Sequence, residues 1–273
     1  MSIRPMLLQF IAAFMTLLLT VATVSAQDSS APVLQRIAKT QTLRVGMTGD
    51  QPPFNVISRE GKIIGMDVDL AHLLAGSMGV QLEIVEMEFS KLLPALEDRE
   101  IDLVMSGVTI TLQRNVRVPF VGPYHVSGIS ILTKSETLAS IQTSEQLNSN
   151  KVRIAVLRGS TSENFVEATL AQADLTATVS HADSIRLLLE GKVDVVVADA
   201  PICALSILRH PDAGLITLTK PLTIEPIGIA VAPGDPQLVN LIQNYMKALR
   251  ATGALEGVKA KWFSNGSWLA QLP

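Results

Sequence analysis

The chain has 273 residues, of which 48% are apolar, 17% charged and 4% aromatic. That balance excludes a disordered chain, which needs high charge and few apolar residues. Twenty-two basic against 25 acidic residues, a formal charge of −3, leave no cationic footprint for nucleic acid. A single cysteine, Cys203, excludes a disulfide framework and any multi-cysteine metal site.

The first element is a leader. Arg4 precedes an almost unbroken apolar run over 6–24, and Val24-Ser25-Ala26 stands before Gln27. A basic start, an apolar middle and small residues at the last and third-last positions read as a secretory signal, 1–26, cleaved after Ala26. A single membrane anchor is the alternative, because the apolar run is long enough to span a bilayer. The polar stretch QDSSAP that follows favours cleavage and an exported, soluble protein. In an oxidising compartment a lone cysteine has to be buried, and Ile202, Ala204 and Leu205 around Cys203 predict that it is.

Beyond the leader, strands and helices alternate. Residues 43–47 (LRVGM) read as a strand ended by the turn Thr48-Gly49-Asp50. Leu70, Leu73, Leu74 and Met78 form one stripe of a helix over 67–78, and Leu82 and Ile84 alternate with polar residues in a strand over 81–86. A helix over 90–96 and a strand over 101–105 follow. The pattern then repeats: strand 152–156, helix 161–171, strand 176–180, helix 184–190 and strand 193–198, with terminal helices over 236–250 and 254–263. Such alternation predicts an α/β fold of βαβ units with parallel sheets. Residues 126–133 and 224–231 are extended, β-branched stretches containing glycine. If both connect the halves, 27–128 and 226–273 make one lobe and 129–225 the other. A single large α/β domain is the alternative. In the two-lobed form a ligand sits between the lobes, at the carboxyl ends of the strands.

The chemistry inventory begins with absences. His72, His125, His181 and His210 are too dispersed for a local metal motif and are expected on the surface or in the core. There is no GxSxG elbow, phosphate loop or GxGxxG fingerprint, so no metal, cofactor or catalytic residue is expected. Three polar groups stand where strands end and helices begin. Gly159-Ser160-Thr161-Ser162 opens a helix whose free N–H groups and dipole suit a carboxylate, although plain N-capping by Ser160 or Thr161 also fits. Ser106-Gly107-Val108-Thr109 is followed by Arg114, either a two-pronged carboxylate grip or a surface arginine. Asp199 ends an apolar strand, where it meets an ammonium group or caps the helix from Pro201. Together the three sets complement a zwitterionic α-amino acid.

These segments resemble the family 3 periplasmic solute-binding proteins of polar amino-acid ABC transporters. The resemblance spans Leu43 to Phe263 and rests on LRVGMTGDQPPF (43–54), GMDVDLAHLLA (65–75), IDLVMSGVTITLQR (101–114), FVGPY (120–124), IAVLRGSTSE (154–163) and VDVVVADA (193–200). It implies a type II periplasmic-binding-protein fold, two lobes with mostly parallel sheets joined by two hinge strands. It further implies a monomer that serves an inner-membrane ABC permease. Arg114 then matches the arginine that binds the ligand carboxylate, assisted by Thr161. Asp199 matches the acid for the α-ammonium, helped by the Gly107 carbonyl and the Thr109 hydroxyl. Phe54 and Phe89 match positions beside the side-chain pocket. The chain departs from the family pattern at three places: Gln51 replaces an aromatic, Thr48 an aspartate and Leu157 a lysine. Unless Asp50 or Asp67 supplies an acid, a neutral ligand is expected, small or aliphatic. Two other functions remain open. Cyclohexadienyl dehydratases resemble the same fold, but the glutamate of their strand-end segment is missing from Asp199-Ala200-Pro201-Ile202-Cys203, leaving Glu225 as a substitute acid. A soluble ligand-sensing partner of a receptor is the third reading.

Overall fold

The computed structural model describes residues 31–139 and 147–273; the expected signal, 1–26, lies outside the described residues. The strands in chain order are β1 (Thr42–Met47), β2 (Asp50–Gln51), β3 (Asn55–Ile57), β4 (Ile63–Ile64), β5 (Gln81–Glu86), β6 (Leu103–Val104) and β7 (Phe120–Ser127), then β8 (Ile129–Thr133), β9 (Arg153–Leu157), β10 (Asp174–Thr178), β11 (Val195–Asp199), β12 (Ile216–Thr217) and β13 (Glu225–Val231). They form one sheet in the order β5-β1-β6-β13-β7 and a second in the order β10-β9-β11-β8-β12, with β2-β3-β4 as a small third sheet. Leu43, Val45 and Met47 of β1 and the run Val195–Ala198 of β11 are wholly buried. Central strands with both faces covered need such apolar runs.

The two-lobed fold is as expected, but its sheets are mixed where mostly parallel ones were expected. β1 runs parallel to β5 and β6, while β13 runs antiparallel to β6 and β7. In the second sheet β9 is parallel to β10 and β11, while β8 is antiparallel to β11 and β12. The physical reason is the connection between lobes. A strand that enters a sheet from the other lobe arrives running against those that leave through βα turns.

The stretch 126–133 is two strands instead of one. The chain leaves the first sheet after Ser127 and joins the second at Ile129, so Gly128 is the crossing point. A Cβ at Gly128 would lie 2.3 Å from the Thr223 carbonyl oxygen, so glycine alone lets the outgoing and returning segments touch. Two hydrogen bonds tie them there, Ile129 N–H to Thr223 Oγ1 at 3.0 Å and Leu222 N–H to the Ile129 carbonyl at 2.7 Å.

Other departures are local. The strand expected over 101–105 pairs only at Leu103–Val104, and the helix expected from 254 ends at Lys259. Beyond it, a widened turn over Ala260–Ser264 lets Trp262 bury its ring while donating Nε1–H to Asp69 at 2.7 Å. The helix Pro32–Thr40 was not read from the sequence. Its first N–H groups, from Val33 and Leu34, reach the Asp235 carboxylate, which also caps the helix Pro236–Ala251 through Leu238. Cys203 is buried, as its neighbours predict. No helix among the described residues is long and apolar enough to cross a membrane.

Candidate functional site: a cleft between the lobes

The cleft lies at the carboxyl ends of β6, β9 and β11. Nine of the twelve residues nominated from the sequence line one narrow cavity: Gln51, Phe89, Gly107, Thr109, Arg114, Leu157, Ser160, Thr161 and Asp199. Ser162 and His181 join them. Thr48 lies in the adjoining mouth, with Asp50, Glu86 and Glu88.

Phe54 and Asp67 are not cleft residues, a correction to their nomination. Phe54 is buried in the first lobe, edge-on to Tyr124, His125 and Phe263 with centroids 6.5, 5.3 and 5.5 Å away. Asp67 is fully buried, and three donors hold its carboxylate: Tyr124 O–H at 2.6 Å, Gly107 N–H at 2.9 Å and Asn55 Nδ2 at 3.1 Å. Burial pushes its carboxyl up to about 6, and the three hydrogen bonds restrain the rise. Both residues still shape the site. Gly107 adopts φ +59°, and a Cβ there would press on the Phe54 ring at 3.2 Å. Asp67 therefore clamps the N–H of the loop whose carbonyl and neighbouring Thr109 hydroxyl edge the cleft. Asp67→Asn turns an acceptor oxygen into a donor facing three donors. It is expected to cost about 1–3 kcal/mol of stability, measured by denaturant unfolding of the ligand-free protein.

Arg114 stands in a one-turn helix, Leu112–Asn115, capped by the Thr111 hydroxyl, which accepts the Arg114 N–H at 3.1 Å. Its Nη1 donates to the Thr109 carbonyl and its Nη2 to the Gly159 carbonyl of the other lobe, each at 2.9 Å. The guanidinium lies 5.8 Å from the Phe89 ring centroid. Two of its five N–H donors are thus taken by carbonyls, and the rest are available to a carboxylate. Burial lowers its pKa, opposed by the nearby Glu225 and Asp199 carboxylates; the group stays cationic.

On the second lobe, Ser160 caps the helix Thr161–Thr169 through the Glu163 N–H at 3.1 Å, and the Glu163 carboxylate accepts the Gly159 N–H at 2.6 Å. This is close to a capping box. The cap leaves the N–H groups of the first helical turn uncommitted, so capping does not exclude an anion here. No protein acceptor among the described residues takes the N–H of Thr161 or Ser162, which leaves the positive helix end open to an anion.

Asp199 precedes the helix Ala200–Arg209, yet its side chain makes no capping hydrogen bond. It accepts a long one, 3.4 Å, from the Ser127 hydroxyl at the hinge. Burial first, and then the neighbouring Glu225 carboxylate, push its carboxyl up to about 7. Glu225, buried at the start of β13, accepts the Thr223 hydroxyl at 2.8 Å. Glu225 does not line the cavity, but its carboxylate lies near enough to Asp199 to repel it, an arrangement that a cationic group relieves.

The histidine expectation separates by position. His125 stacks on Phe263 with centroids 4.2 Å apart, a packing role. His181 belongs to the cleft, and the reading of all four histidines as surface or core missed that. The signal was present: His181 follows Ser180 at a strand-to-helix junction, the same local grammar as Gly159–Ser162. Across the cleft, the Asp50 carboxylate accepts the His181 N–H. Burial pushes Asp50 up to about 6.

Residues 43–265 match the family of bacterial extracellular solute-binding proteins, family 3. The L-arginine-binding protein of Pseudomonas aeruginosa is 32% identical over 239 residues, covering 85% of this chain and 91% of the relative. The cyclohexadienyl dehydratase of the same species is 29% identical over 245 residues, 90% of each chain. Among solved structures, an ancestral amino-acid-binding protein described as a precursor of cyclohexadienyl dehydratase superposes with a TM-score of 0.77. It is 34% identical, covering 84% of this chain and 99% of that one.

Proposed function

Because the chain belongs to the bacterial extracellular solute-binding proteins of family 3, we propose that it captures a free, neutral L-amino acid between its lobes and presents it to an inner-membrane ABC permease. It acts as a monomer in the periplasm, reached through a cleaved signal. One observation carries the reading. A half-buried arginine with spare donors, an open helix N-terminus and an uncapped aspartate converge on one cleft, and these are the three groups an α-amino acid needs. Neutrality of the side chain follows from charge: among the described residues that line the cavity, the charged ones are Arg114 and Asp199, and the zwitterion occupies both. Ligand contacts drawn from both lobes favour the closed arrangement over the open one, and closure can be driven only by that difference in affinity.

A panel of the twenty L-amino acids in thermal unfolding tests this. A ligand at 100 times its Kd raises stability by about 2.7 kcal/mol, so at least one amino acid is expected to give a clear rise. A response confined to sugars, or to dicarboxylates without an amino group, defeats the reading. N-terminal sequencing of exported material is expected to begin at Gln27.

A second reading, a dehydratase, is favoured by the buried Glu225 beside Asp199 and by the similarity to a cyclohexadienyl dehydratase. Binding is preferred because both carboxylates are accounted for by an ammonium group, and no glutamate follows Asp199-Ala200, where Pro201, Ile202 and Cys203 stand instead. Incubation with arogenate or prephenate is expected to yield no aromatic product.

A further inference from the structure

The clamp for the α-carboxylate and α-ammonium leaves two polar side chains of the cleft unused, Gln51 and His181. Both are buried, at 3% and 4% exposure, and they come from opposite lobes. Nδ1 of His181 is buried without a hydrogen-bond partner. No hydrogen bond among the described residues reaches the Gln51 carboxamide. Buried polar groups are normally paired, and leaving them unpaired is costly. The unpaired imidazole nitrogen and the uncommitted carboxamide line one cleft from its two sides, and both can take a partner that arrives from outside the chain.

His181 is held there from both sides. The Ser180 hydroxyl caps its helix, accepting the Asp183 N–H at 3.0 Å, and Asp50 of the other lobe accepts the His181 N–H. Burial pushes the imidazole down to about 4, so it is neutral at physiological pH. A neutral imidazole offers one donor and one acceptor, and a carboxamide offers two donors and an acceptor.

We propose that His181 and Gln51 together form the seat for the ligand's side chain, and that this seat selects a carboxamide, as in glutamine or asparagine. The proposal rests on the reading of the chain as a binder of α-amino acids and names the side-chain class within it. A group that pairs with both residues must carry donors and acceptors and no net charge. A carboxylate has acceptors only. An ammonium or guanidinium has donors only, and would have to reach past the pair to Asp50, Glu86 and Glu88 in the mouth. An aliphatic chain leaves both protein groups unpaired. Sites built to hydrogen-bond a ligand discriminate strongly against analogues that lack the group.

Calorimetry on wild type, His181→Phe, His181→Gln and Gln51→Leu, each with L-glutamine, L-asparagine, L-leucine and L-arginine, tests the proposal. An amide ligand is expected to bind wild type tightest. His181→Phe and Gln51→Leu should each weaken that amide ten- to hundredfold while leaving leucine bound as tightly as in wild type or more tightly. His181→Gln, which keeps a neutral donor and acceptor, should stay within tenfold of wild type, and Gln51→Leu reports on the seat even if His181→Phe fails to fold. Leucine or arginine binding wild type ahead of both amides overturns the seat alone. Equal losses for amide and leucine in the folded variants also overturn it, because they mark a structural role. Failure of all twenty amino acids to bind wild type overturns the amino-acid reading and the seat with it.

Discussion

Arg114→Ala is expected to weaken amino-acid binding by two to four decades in Kd. The ligand carboxylate would remain in the cleft with the Thr161 and Ser162 N–H groups and no cation. Breaking a buried ion pair by removing one partner costs about 3–5 kcal/mol, and each 1.4 kcal/mol is about tenfold in affinity. The loss also removes a bond between lobes, since Nη2 of Arg114 reaches the Gly159 carbonyl across the cleft. Arg114→Lys should rescue little. A lysine ammonium cannot donate in parallel to a carboxylate while also meeting carbonyls on two lobes, and it stacks less well on Phe89. Calorimetry with any amino acid that stabilises the wild type decides the matter. Binding by Arg114→Ala within threefold of wild type would place the carboxylate elsewhere.

Asp199→Asn is expected to cost a similar factor at pH 8 and to change how affinity and stability depend on pH. Asparagine keeps the shape and one acceptor but loses the charge that faces the ammonium. The loss should therefore be large for α-amino acids and much smaller for the deaminated analogue. In the ligand-free wild type the Asp199 carboxyl titrates at about 7, raised by burial and by Glu225. The ammonium group needs the ionised form. Wild-type affinity should then fall as pH drops below about 7, approaching a tenfold loss per unit, while the asparagine variant stays flat. Stability moves the opposite way. The folded carboxyl titrates near 7 and the unfolded one near 3.8, so between those values the folded state holds the extra proton. The ligand-free protein consequently loses stability as pH rises through that window. Asp199→Asn, neutral throughout, escapes the decline and should unfold at a higher temperature than wild type at pH 8. A variant less stable than wild type at pH 8, with unchanged affinity, would contradict both halves.

The residue pattern by itself determined the alternation of strands and helices, the places where strands end, and six residues of the cleft, Gly107, Thr109, Arg114, Ser160, Thr161 and Asp199, while the family resemblance added Gln51, Phe89 and Leu157. The reason is local: turn and cap chemistry is written in adjacent residues. Gly159-Ser160-Thr161-Ser162 carries the signature of a helix start wherever it is placed, and an apolar run closed by Asp199 marks a strand mouth. Three matters were decided only by the tertiary structure. The direction of β8 and β13 depends on the lobe from which each strand arrives, which no local periodicity records. Phe54 and Asp67 stand in a segment that matches the binding pattern, yet three donors from separate segments and a cluster of rings draw them beneath the cleft floor. His181 reads locally as the first residue of an ordinary capped helix. It enters the cleft because Asp50, 131 positions earlier in the chain, meets its N–H from the opposite lobe. Burial and charge pairing depend on what packs from a distance, and so the raised carboxyl of Asp199 and the unpaired imidazole of His181 exist only once the two lobes face each other.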